Sequence, residues 1–256
     1  MKEKIIEELK KIEEQYAVKI CYAVESGSRA WGFPSKDSDY DVRFIYVPKK
    51  EWYLSIEEKR DVIELPINNL LDINGWELRK ALRLFKKSNP PLMEWLHSGI
   101  VYYQAYSLVD KMRAIQNQVF RPQSALYHYL NMAKGNYRDY LQSDEVKIKK
   151  YFYVLRPVLA CKWIEKYNSV PPIEFQALVA DLIMDGPLKN EINTLLDRKI
   201  RGDELNFEPK VVIINKFLEN EINRIEDYAK KTSFPKQDIS PILDELFRDI
   251  LDEVWP

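Results

Sequence analysis

Cysteine and histidine are nearly absent: the 256 residues hold two of each. Cys21, in a predicted strand, and Cys161, in a predicted helix, both lie in apolar surroundings. They exclude a disulfide framework and read as free buried thiols, the pattern of a reducing cytoplasm. His97 and His128 make no ligand cluster. A charge excess of either sign is also lacking. Lys and Arg number 39 against 40 Asp and Glu, a net charge of −1. No global field therefore draws the chain to nucleic acid or to an anionic membrane, and any polyanion contact has to come from a local patch. No apolar run reaches membrane-spanning length, and the acid-bearing amphipathic start MKEKIIEELKKIEEQY is no signal peptide. Internal repeats and low-complexity tracts are missing too. What is present is chain enough for one or two domains with real cores.

The informative stretch is Val24 to Val47, VESGSRAWGFPSKDSDYDVRFIYV. A predicted strand ends at Val24, and a tight turn follows at Ser26, Gly27 and Ser28. A polar loop then leads into a second strand predicted over Ser38–Val47. Strand side chains alternate, so Asp39 and Asp41 leave one face roughly 6.5–7 Å apart. Tyr40, Val42, Phe44 and Tyr46 point to the other, apolar face. Carboxylates that near repel each other unless a cation lies between them. Hard oxygen donors in this small number suit Mg²⁺ or Mn²⁺ completed by substrate phosphates. Gly27 lets backbone N–H groups approach phosphate oxygens, and Ser28 adds a hydroxyl. A phosphate cradle beside a two-acid strand fits metal-assisted phosphoryl or nucleotidyl transfer. A calcium loop also opens with alternating acids, here Asp37, Asp39 and Asp41. It needs Gly sixth and Glu twelfth, where this chain has Val42 and Pro48.

A strand, Gly-Ser and then Asp-x-Asp on the next strand resembles the nucleotidyltransferase superfamily that includes DNA polymerase β. The fuller set is ESGSRAWGF, SKDSDYDVRFIYV, DINGWELRKALRL, KSNPPLMEWLHS and KKYFYVLRPVLACKWIEKY, in that order. It resembles the YcgL-type branch of that superfamily, associated with RNA repair. The resemblance implies an α+β fold: a polymerase-β-like domain over residues 1–105, with a small mixed sheet and flanking helices, then an all-helical domain over 106–256 that closes the nucleotide cleft. It implies a nucleoside triphosphate held at Gly27 and Ser28, with Mg²⁺ or Mn²⁺ on Asp39 and Asp41. It also implies a third carboxylate on a neighbouring strand, which completes the metal site and takes the proton of the attacking hydroxyl. Asp61, Glu64 and Asp72 are the candidates. The resemblance favours Asp72, just before a predicted helix over Trp76–Lys87, with Glu64 second. Arg29, Ser38 and Arg43 are further phosphate-binding candidates.

From about Tyr106 onward the pattern is almost wholly helical. Its informative helix is predicted over Glu145–Tyr167, where Lys149, Tyr153 and Arg156 share a face and Lys150 stands beside them. Arg156 sits in the apolar run Val154 to Ala160, where an unpaired charge is costly. Pro157 is expected to kink the helix there. An internal ion pair would account for Arg156; the resemblance favours a cationic clamp on nucleotide phosphates. The activity so implied is transfer of a nucleoside monophosphate from a triphosphate to a hydroxyl, with pyrophosphate leaving. The acceptor stays open between an RNA end and a protein, as in AMPylation. The alternative is a non-catalytic nucleotide-binding regulatory module on the same fold.

Overall fold

The computed structural model describes residues 1–67, 70–203, 207–232 and 238–256. They form two compact units: Met1–Ala30, Asp39–Phe120 and Gln237–Pro256 make the first, Trp31–Ser38 and Arg121–Lys236 the second. Through residue 120 the elements are α1 (Lys2–Tyr16), β1 (Val18–Glu25), α2 (Gly27–Ala30), β2 (Tyr40–Pro48), α3 (Lys50–Tyr53), β3 (Val62–Glu64), β4 (Leu71–Glu77), α4 (Leu78–Lys86), α5 (Pro90–His97), β5 (Val101–Gln104) and α6 (Leu108–Val119). Then come α7 (Pro122–Tyr140), β6 (Glu145–Lys147), α8 (Lys150–Tyr167), α9 (Phe175–Leu182), α10 (Pro187–Arg201), β7 (Phe207–Pro209), α11 (Val212–Lys231) and α12 (Ser240–Val254). No helix among the described residues is long and apolar enough to cross a membrane.

The first unit is α+β. Its sheet has five strands in the order β3-β4-β2-β1-β5. β2 runs parallel to β4, and the other pairings are antiparallel. Alternation decides the faces. Val42, Phe44 and Tyr46 of β2 and Leu71 and Ile73 of β4 join Ile5, Leu9 and Ile12 of α1 in one buried cluster. Asp41, Arg43, Asp72 and Asn74 therefore leave the opposite face. On that face Trp76 stacks on Trp95 of α5 with ring centroids 3.9 Å apart.

Several boundaries differ from the sequence expectation, each for a local reason. β2 begins at Tyr40 rather than Ser38, because Ser38 closes a turn: its N–H donates to the Ser35 carbonyl at 3.1 Å and its Oγ accepts from the Ser35 N–H at 2.9 Å. Asp39 thus precedes the strand. β4 runs on to Glu77, where a helix was expected from Trp76, because it pairs with β2 from Tyr40↔Leu71 through Tyr46↔Glu77. Glu77 then caps α4, its carboxylate accepting the Arg79 and Lys80 N–H groups.

The expected helix over Glu145–Tyr167 is split. Glu145–Lys147 instead pairs with Phe207–Pro209 as a two-stranded ribbon, with Val146 buried, and α8 starts at Lys150. The second unit is otherwise helical. Pro157 lies inside α8, which continues past it. Cys21 and Cys161 are both buried and free.

The units do not follow the division expected at residues 105 and 106. Helix α6 belongs with the sheet, where Arg113 donates to the Leu96 carbonyl at 2.8 Å and to the Tyr22 hydroxyl at 3.2 Å. Helix α12 returns to the same unit, and the Trp255 indole just beyond it donates to the Val47 carbonyl at 3.3 Å. Conversely, Trp31–Ser38 belongs to the helical unit. There Phe33, 2% exposed, lies 5.0 Å from the Phe152 ring and 5.5 Å from the Phe175 ring. The Phe175 N–H also donates to the Trp31 carbonyl at 2.9 Å. Truncating a buried aromatic costs transfer energy plus a cavity, so Phe33→Ala is expected to destabilise the protein by about 3–5 kcal/mol in urea unfolding.

Candidate active site

The site grows from the ends of three neighbouring strands. At the end of β1 the chain turns at Gly27, whose φ is +61°. The Ser26 N–H donates to the Asp41 carbonyl at 2.8 Å, which ties this turn to the start of β2. Gly27 lies so near Asp41 that a Cβ there would stand 2.1 Å from Asp41 Oδ2. Across the parallel ladder Asp41 pairs with Asp72. Of the three candidates for the third carboxylate, Asp72 is thus the one beside Asp41. Asp61 instead pairs with Lys80 at 2.9 Å, while Glu64 is exposed, pairs with Arg60 and accepts from Asn74 at 3.0 Å.

Arg43 joins the two facing acids. Its Nη2 donates to Asp41 Oδ1 at 3.1 Å and to Asp72 Oδ2 at 2.7 Å. Its Nη1 donates to the main-chain carbonyls of Asp72 at 3.0 Å and Val42 at 3.1 Å. Asp39 is exposed. Its carbonyl accepts from Arg29 Nε at 3.1 Å, and the Arg29 guanidinium lies over the Tyr40 ring, 3.8 Å from its centroid. Burial pushes the Asp41 carboxyl above its ordinary pKa; Arg43 opposes the rise, and Asp72 and Asp39 add to it.

One residue of the site was missed in the sequence. Glu25, the last residue of β1, is fully buried. It accepts the Asp41 N–H at 2.8 Å and the Tyr102 hydroxyl, while its own carbonyl accepts the Ser98 hydroxyl at 2.7 Å. Burial raises its pKa, and the bonds from Tyr102 and Asp41 oppose the rise. Glu25 fixes the backbone of Asp41. The signal was an acid closing the apolar strand VKICYAVE immediately before the glycine turn.

The other expected phosphate-binding residues belong to the second unit. Ser38 is buried in the second unit, tied to Ser35, whose hydroxyl also accepts from Lys199 at 3.2 Å. Lys149, Lys150, Tyr153 and Arg156 are likewise in the second unit. Lys149 is exposed, and Lys150 lies over the Tyr140 ring at 4.0 Å and the Tyr153 ring at 5.0 Å. Arg156 is 3% exposed, donates to the Ile173 carbonyl at 3.3 Å and stands 4.8 Å from the Trp31 ring. Its guanidinium is built into the core of that unit.

Among the described residues no group of three His, Cys, Asp or Glu side chains stands ready-made as a metal centre. The donor chemistry nevertheless fits a hard divalent cation. Asp41 is desolvated beside Asp72 and Asp39, and a cation has already been recruited to it in the form of Arg43.

A solved nucleotidyltransferase-like protein from Exiguobacterium sibiricum 255-15 aligns over 96% of this chain and 87% of its own at 11% identity, with a TM-score of 0.30. The uncharacterized protein YcgL of Bacillus subtilis (strain 168) is 60% identical over 255 residues, which span all of this chain and 98% of that protein. The model of the RNA repair pathway DNA polymerase beta family matches residues 1–249. The chain belongs to that family.

Proposed function

We propose that the protein transfers a nucleoside monophosphate from a nucleoside triphosphate to the hydroxyl of an RNA end. The observation that carries this reading is the convergence of Gly27, Asp41 and Asp72 at adjoining strand ends. Family membership supports the nucleotidyltransferase class, and the RNA repair description supports the acceptor. Gly27 and Ser28 receive the triphosphate, whose oxygens approach a backbone stripped of Cβ. Asp39 and Asp41, with Asp72 beside them, would hold Mg²⁺ or Mn²⁺, which when bound neutralises the phosphates and polarises the α-phosphoryl group.

Asp72 accepts from Arg43 through Oδ2, and Oδ1 is left to take the proton of the acceptor hydroxyl. The hydroxyl oxygen forms a bond to the α-phosphorus as the bond from that phosphorus to the bridging β-phosphate oxygen breaks, and pyrophosphate leaves. Arg43 offsets the charge of the two acids, and Glu25 holds the Asp41 backbone in register.

The test incubates the purified protein with α-³²P-labelled triphosphates, Mg²⁺ or Mn²⁺, short RNAs and a mixture of proteins, beside an Asp41→Asn variant. The expected result is label in RNA, reduced about 10²-fold or more by the substitution. Label in a protein band would reassign the acceptor. Triphosphate binding without any transfer would replace the enzyme with a regulatory nucleotide-binding module, and equal labelling by both proteins would overturn the role of Asp41.

A further inference from the structure

We propose that Arg43 permanently occupies the place between Asp41 and Asp72 that a second divalent ion would take in a two-ion site. The protein then works with a single divalent ion, held through Asp39 and Asp41. This inference rests on the nucleotidyl-transfer reading above.

The anchoring of the guanidinium is the first argument. Two of its four hydrogen bonds go to main-chain carbonyls, those of Val42 and Asp72. Both belong to the β2–β4 ladder, whose strand pairing fixes their positions. The other two bonds are charge-assisted, to Asp41 Oδ1 and Asp72 Oδ2. An ion entering between the acids would have to break those two and leave a half-buried guanidinium facing a second cation.

Charge balance is the second argument. Asp39, Asp41 and Asp72 carry three negative charges, and Arg43 cancels one. Before nucleotide binds, the remaining two match one divalent ion. The geometry of Asp41 is the third. Oδ1 points to Arg43 and Oδ2 lies against Gly27, where the triphosphate is received. One carboxylate thus faces a resident cation on one side and the phosphate turn on the other. Arg43 is a positioning residue: it holds Asp41 and Asp72 at a fixed separation and spends Asp72 Oδ2 on itself.

The experiment counts bound Mn²⁺ by electron paramagnetic resonance, with and without an unreactive α,β-methylene triphosphate. Wild-type protein, Arg43→Met and Arg43→Lys are compared after circular dichroism has checked that each is folded. Wild type is expected to bind one Mn²⁺ per chain under both conditions. Arg43→Lys, which keeps the charge, is expected to do the same. Arg43→Met is expected to gain a second site at least tenfold tighter than any second site of wild type. Two ions of comparable affinity in wild type, with triphosphate bound, would overturn this inference alone, as would a folded Arg43→Met that still binds one. Should Arg43→Met fail to fold, the wild-type and Arg43→Lys counts decide. Wild type that binds neither Mn²⁺ nor triphosphate would overturn the nucleotidyl-transfer reading along with this inference.

Discussion

Gly27→Ala is expected to lower nucleotidyl transfer by roughly 10³-fold while leaving the protein folded. Two separate costs meet at this position. The backbone stands at φ +61°, a conformation that charges an L side chain about 1–2 kcal/mol. The added methyl would also stand 2.1 Å from Asp41 Oδ2 and 3.0 Å from its Cγ. The side chain of Asp41 has to yield, because its backbone is tied on both sides. Its N–H is held by Glu25 and its carbonyl by Ser26. The carboxylate is then turned out of the geometry that Arg43 and Asp72 define. Transfer of α-³²P label, compared with the thermal midpoint, separates the chemical effect from the smaller loss of stability. A variant within tenfold of wild type would remove Gly27 from the site.

A large loss of stability is expected from a substitution at Gly75. This residue lies in the middle of β4, directly across the ladder from Phe44. A Cβ at Gly75 would stand 2.2 Å from two Phe44 ring carbons and 2.5 Å from a third. Phe44 is fully buried, with α1 closing the same face of the sheet, so the ring has no open space to move into. Overpacking of this kind costs about 1–3 kcal/mol where a core can relax and more where it is closed on both sides. Gly75→Ala is therefore expected to lose about 3 kcal/mol or more in urea unfolding. Combining it with Phe44→Leu should cost less than the sum of the two single changes, because they share one contact. A loss below about 1 kcal/mol for Gly75→Ala would contradict the packing argument.

The helical segments and the apolar faces of β2 and α1 were legible because periodicity is a local property. The pairing of Asp41 with a third acid was not. Asp61, Glu64 and Asp72 look alike by residue type; the resemblance favoured Asp72, and the parallel register Asp41↔Asp72 is what sets it beside Asp41. The helix after Asp72 was expected from Trp76, whereas β4 runs on to Glu77, its length set by its partner strand rather than by its own residues. The ribbon of β6 and β7 was hidden for the same reason: three residues gain strand character only from others some sixty positions away. Glu25 went unread because burial, not composition, makes it a support for Asp41. Arg156 was picked out correctly as a charge in an apolar run, and its surroundings of Trp31 and the Ile173 carbonyl explain how the core tolerates it.

The interleaving of the two units bears on how the chain is made. Between residues 30 and 237 the backbone passes from one unit to the other four times. On a ribosome, neither half can mature as an early, self-sufficient body. The helical half waits for residues past 121 before Phe33 finds its aromatic partners. The sheet half waits for the last twenty residues, which bring Phe247 to the Tyr53 ring and the Trp255 indole to Val47. The helical half therefore has all of its residues before the sheet half does, and the acid-bearing strands stay in an unfinished scaffold until the segment with Phe247 and Trp255 has emerged.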